Sequence, residues 1–65
     1  MTDWILVETE GGSTRINMGA ISAYQVPKSG DSLLIYTNDS SLFEVEEKYQ
    51  EVVKRLDLYF ETIDS

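Results

Sequence analysis

The sequence predicts an α+β domain: a curled antiparallel sheet of about five strands packed against one C-terminal amphipathic helix. Two observations carry this. Up to residue 45, short runs of β-branched, aromatic and aliphatic residues follow one another between clusters of Gly, Pro, Asn, Asp and Ser. From Glu46 onward the apolar period changes from about 2 to about 3.6. The 65 residues contain no internal repeat, low-complexity tract or linker, so a single small domain over 1–65 is expected.

The elements follow in order. Trp4-Ile5-Leu6-Val7 is the core of a first strand over about 3–9, and Glu10-Gly11-Gly12-Ser13 supplies the turn after it. Thr14-Arg15-Ile16 forms the short return strand, 14–17, ended by Asn17. A third strand spans 21–26 and stops at the Pro27-Lys28-Ser29-Gly30-Asp31 loop, because proline cannot donate to a ladder. Strands over 32–37 and 41–45 are joined through Asn38-Asp39-Ser40, a hairpin signal. Between the second and third strands, Asn17 can accept from a backbone N–H two or three residues on, and Met18-Gly19-Ala20 is about one helical turn long. The segment therefore reads as a capped corner reversing the sheet. Met18 is its packing plug, and Ile16 and Ile21 flank it, both able to point inward.

The helix is predicted over 46–63. At 100° per residue, Val45, Tyr49, Val52, Val53, Leu56, Tyr59, Phe60 and Ile63 all fall inside an arc of about 120°. Glu44, Glu46 and Glu47 gather at its start, where the helix dipole favours anions, and Glu51 to Arg55 adds an i,i+4 pair. Val45, Tyr49, Val52, Val53, Leu56 and Phe60 should meet Ile5, Val7, Ile16, Ile21, Leu33 and Ile35, subject to the parity of each strand. Leu58 falls opposite the apolar arc, a single exposed apolar residue of an ordinary kind.

One helix covers one face of a small sheet, so the strands of a two-layer domain should alternate apolar and polar residues. Trp4-Ile5-Leu6-Val7 and Leu33-Leu34-Ile35-Tyr36 do not, being apolar on both faces. The second face also needs cover. Either the sheet curls into a small barrel around its own core, or another chain covers it. Trp4, Leu6, Leu34 and Tyr36 form the expected association face, because amphipathic aromatics are enriched at interfaces.

Five basic residues against twelve acidic ones give a net charge of −7, which opposes polyanionic partners. Nucleic-acid binders gain most of their affinity from Lys and Arg at phosphates, and anionic membrane surfaces are disfavoured for the same reason. No unbroken apolar run is longer than that from Trp4 to Val7, far shorter than the roughly 20 residues of a bilayer-spanning helix. With no Cys there is no disulfide and no thiolate metal site, and with no His the commonest base and metal ligand is missing. The absence of Cys, and an N-terminus without the basic start and apolar core of a signal peptide, lead to the expectation of a cytoplasmic protein.

Chemistry finds little purchase. Catalytic residues are expected to be none, because a base would have to be a carboxylate or Lys in a pocket for which so small a chain has little volume. The nearest carboxylate pairs are Glu46/Glu47, which diverge by about 100° on a helix start, and Glu8/Glu10, which could share a strand face. Asp31, Asn38 and Asp39 occupy turns but lack calcium-loop spacing, and a strand, not a helix, follows Gly11-Gly12. Neither a metal nor a cofactor is expected.

Read as a whole, the strand, the Gly turn, Arg15-Ile16-Asn17 with Ile21 beyond it, the strand pair around Asn38-Asp39, and Phe43-Glu44-Val45-Glu46-Glu47 leading into Tyr49-Gln50-Glu51-Val52-Val53 resemble the FlbD family of small bacterial flagellar proteins. The resemblance covers roughly residues 4 to 56 and rests on short motifs. Met18 stands where that family usually has Pro, Asp39 where it has the hairpin Gly, and Glu47 where it has Ser. It implies a bacterial, cytosolic, non-enzymatic protein acting through partners, and carries over no catalytic residue. The functional expectation is a protein-interaction or adaptor module with a protein partner or self-association. The alternative is a small nucleic-acid-binding regulatory domain of the LytTR type, which shares the strand–corner–strand–hairpin–helix order. This chain lacks that type's later strands and basic loops, and its charge opposes it.

Overall fold

The computed structural model describes residues 3–64, with side chains as far as Glu61. Its elements are β1 (Trp4–Thr9), β2 (Gly12–Asn17), a 3-10 turn (Met18–Ala20), β3 (Ile21–Gln25), β4 (Leu33–Thr37), β5 (Leu42–Val45) and α1 (Tyr49–Asp64). The strands form one open antiparallel sheet in the order β2-β1-β5-β4-β3, with α1 as the single helix. The predicted α+β class is the one found.

Register assigns the strand residues to faces, save Ser22, where the β3–β4 pairing shifts between Ile21 and Ala23. Ile5 pairs with Ile16, Leu33 with Val45 and Ile35 with Phe43, and these side chains share the inner face that α1 covers. Ile5, Val7, Ile16, Met18, Leu33, Ile35, Val45, Val52 and Leu56 form the buried core, and Ile21, Tyr24, Phe43, Tyr49, Val53, Tyr59 and Phe60 pack against it half-buried. All the inward residues read from the sequence lie on this side. Ile63, the last residue of the predicted apolar arc, lies outside the described side chains.

The sheet has to curl. In a flat sheet of five strands the outer two would stand about 19 Å apart, four spacings of about 4.8 Å. Here those outer strands, β2 and β3, are consecutive in the chain and joined by a three-residue 3-10 turn, which spans only about 8 Å from Asn17 to Ile21. The corner is fixed at both sides. Gly19 N–H donates to Asn17 Oδ1 at 2.9 Å, as the Asn cap requires, and Met18 is buried beneath it. The Met18 amide donates to the Asp3 carbonyl, 2.7 Å, and the Asn38 amide to the Ala20 carbonyl, 2.8 Å, so the turn ties the start of β1 to the end of β4.

Two boundaries differ from the sequence reading by more than one residue. β2 begins at Gly12, not Thr14, since Ser13 pairs with Glu8 and Gly12 with Thr9. The backbone there has φ +116° at Gly12, a conformation open to glycine, and this lets the ladder run to the turn. The helix begins at Tyr49, not Glu46. Lys48 has φ +53°, which no α-helix accommodates, and its carbonyl accepts the first helical bond, from the Glu51 amide. Glu46 and Glu47 thus precede the helix, and only Glu51 is acidic in its first turn.

Aromatic hydroxyls pin the helix to the sheet. Tyr24 on β3 stacks on Phe60, with centroids 5.7 Å apart, and its hydroxyl donates to Asp57 Oδ1 at 2.6 Å. Tyr49 donates to the Gly30 carbonyl in the β3–β4 loop.

Candidate functional site

Because side chains alternate along a strand, the inward assignment fixes the outward one. Trp4 and Leu6 of β1, Leu34 and Tyr36 of β4 and Leu42 of β5 all point away from α1. The four residues named as the association face thus lie on one side of the sheet, opposite the helix. Trp4 is 53% exposed and Leu6 52%, whereas Leu34 and Tyr36 are half-buried by their neighbours. Curling does not cover this side. It wraps the sheet around its inner face only, so of the two ways of covering the doubly apolar strands, closure of the sheet leaves the outer face still open.

The four residues form two patches. Tyr36 pairs with Leu42 and with Ala23, and Leu34 sits two residues along the same strand. Trp4 and Leu6 pair instead with Asn17 and Arg15 of β2. β1 and β5 pair only at Thr9 and Val45, an offset that sets Leu6 about four residues, roughly 13 Å, along the strands from Leu34. Glu8 and Glu44 lie between the patches. Leu42, 56% exposed, belongs to this face and was missed by the sequence reading. Its signal was the adjacent pair Leu42-Phe43, of which one must face outward.

The carboxylates read as two separate pairs converge. Glu8, Glu10, Glu44, Glu46 and Glu47 surround one hollow of about 440 Å³ with Thr9, where β1 meets β5. Ser13 Oγ donates to Glu8 at 2.8 Å and Ser32 Oγ to Glu44 at 3.2 Å. Glu10 lies in the turn after β1, not on a strand face with Glu8. This end of the sheet is an acidic pole. Among the described residues no group of three or more His, Cys, Asp or Glu side chains is placed to hold a metal ion.

The turn residues have structural partners. Asp39 Oδ1 accepts from the Thr37 hydroxyl at 2.6 Å and the Ser41 amide at 3.2 Å, and these bonds hold its carboxyl below the ordinary value. Loss of solvent around Tyr24, helped by its hydrogen bond to Asp57 and by the charges of Asp57 and Glu61, pushes its phenol up to about 12.

A second feature was not legible in the sequence. A groove of about 1020 Å³ runs between β1 and α1, lined by Ile5, Leu6, Val7 and Glu8 on the strand side. On the helix side stand Lys48, Glu51, Val52, Lys54, Arg55 and Leu58.

No protein-family model matches the chain, and comparisons with curated proteins and with solved structures also find no match. No helix among the described residues is long and apolar enough to cross a membrane.

Proposed function

We propose that this chain is a non-catalytic protein-interaction module that associates through the outer face of its sheet, with a second copy of itself as the simplest occupant. One observation carries the reading. Three of the five large apolar side chains exposed among the described residues, Trp4, Leu6 and Leu42, lie on that one face, beside the half-buried Leu34 and Tyr36. A standard interface takes roughly 800 Å² from each partner. On a body of 30 × 22 × 20 Å that is about one whole face, and the outer face carries both apolar patches.

Arg15 is the only base among the outer-face strand residues, set against Glu8 and Glu44, which weighs against the nucleic-acid alternative. The resemblance to the FlbD family supports the same reading, a bacterial cytoplasmic protein that works through partners. Tyr36→Glu tests it. Tyr36 is on the outer face and only half-buried, so a charge there should disrupt assembly while helical circular dichroism persists. Loss of all structure would mark Tyr36 as core, and unchanged association would remove the face from the account.

A further inference from the structure

β1 is an inner strand that is left largely unpaired along one edge. It pairs with β2 at all six of its residues but with β5 only through Thr9, because β5 ends at Val45 where β1 still has five residues to run. Along an antiparallel strand, alternate residues turn their N–H and C=O groups to opposite edges. From Trp4 to Glu8 the groups on the β5 side therefore have no strand to pair with. Among the described residues, the backbone hydrogen bonds outside helices and ladders involve none of these five.

The groove lies along that edge. It touches Ile5, Leu6, Val7 and Glu8 in succession. Consecutive strand residues face opposite sides, so a hollow meeting four in a row borders the strand's edge and not one face of the sheet. The lengths agree: Ile5 to Glu8 spans about 10 Å of strand, and Glu51 to Leu58 about 10 Å of helix.

Charge gives the groove a direction. Thr9 pairs with Val45, which sets Glu47 at the Glu8 end, and both residues also line the acidic hollow. Lys54 and Arg55 lie further along α1, beyond Val52. Three of the chain's five basic residues border this one groove: Lys48 stands beside Glu47 at the Glu8 end, where the two carboxylates outnumber it, and Lys54 and Arg55 make the far end basic.

We infer that the β1 edge and the α1 stripe beside it form a receptor for an extended segment of a partner protein, added to the sheet as a strand next to β1. Its backbone pairs with the free groups of Trp4–Glu8, and its outward side chains lie beside Trp4 and Leu6. The segment carries a basic residue at the Glu8–Glu47 end and an acidic residue at the Lys54–Arg55 end, with apolar residues between them against Val52. This rests on the reading of the chain as a protein-binding module but uses an edge, where self-association uses a face.

The test uses the full chain and a displayed library of short random peptides. Selected peptides should carry the predicted charge order. The tightest of them, titrated into isotope-labelled protein, should shift the Trp4–Glu8 amides and slow the hydrogen exchange of those that face away from β2. N-methylation of alternate peptide residues, which removes donors on one edge, should abolish binding. Arg55→Glu, a change at an exposed helix position, should weaken it at least about tenfold. Recovery of no peptide, shifts confined to Leu34 and Tyr36, or equal binding by the N-methylated peptide would each overturn the inference. So would protection, in the peptide-free protein, of those alternate Trp4–Glu8 amides that face away from β2, since a second copy would then occupy the edge. Solution mass measured on the same samples separates the two claims: a peptide result that fails while the dimer persists removes only the edge receptor.

Discussion

Ser40 and Gly30 hold the same place in two turns. In each, the amide donates back three residues, Gly30 to Pro27 at 2.9 Å and Ser40 to Thr37 at 3.1 Å, and in each that residue has positive φ, +70° and +72°. Glycine adopts this conformation freely; serine does so at a cost of about 1 kcal/mol or more. Ser40→Gly should therefore raise the unfolding free energy by up to about 1 kcal/mol in urea, the gain being limited by glycine's freer unfolded chain. Asp39, one residue earlier, has its carboxyl lowered by the Thr37 and Ser41 bonds. A lowered folded value stabilises above the unfolded one, 3.8, and that contribution is lost as pH falls through the folded value. Acid titration of wild type and Asp39→Asn should converge at low pH. Tyr24 works in the opposite sense. Its phenol stands at about 12 when folded against 10.0 when unfolded, so its contribution is complete below pH 10 and disappears as pH rises toward 12. Tyr24→Phe should cost about 0.5–1 kcal/mol at neutral pH by loss of the Asp57 bond, and the gap from wild type should close over that alkaline window.

At the scale of elements, the helix and the inner strand face were legible because burial imposes periodicity. Leu56 is the clearest case, on the apolar arc and fully buried. Leu56→Ala should cost about 2–5 kcal/mol, read from urea unfolding. A chain of this length holds only roughly 3–10 kcal/mol in total, so the variant should be partly unfolded at ambient temperature. The corner was legible too, since Asn17 could be read as a cap from its own chemistry. The helix start was not. The apolar period and the Glu run continue through Glu46–Lys48, and nothing in residue type shows that Lys48 takes positive φ. The strand offset was equally hidden: pattern gives each strand's faces but not its neighbours, and only the order β2-β1-β5-β4-β3 reveals that β1 outruns β5. That offset divides the outer apolar residues into two patches and opens the groove.

For the whole molecule, the balance is between a small core and an uncovered face. The inner face and α1 bury a single cluster, while Trp4, Leu6 and Leu42 remain in water on the other side. Association would remove this apolar area and add stability that depends on protein concentration. The net charge of −7 opposes self-association at long range, so added salt should strengthen it by screening. The most direct measurement is solution mass by light scattering coupled to size exclusion, over about a hundredfold range of concentration, for wild type and for Tyr36→Glu. Wild type should approach twice the 7.4 kDa of the chain as concentration rises, while the folded variant stays at 7.4 kDa. A wild type that remains at 7.4 kDa throughout, or a variant that dimerises equally well, would contradict association through the outer face.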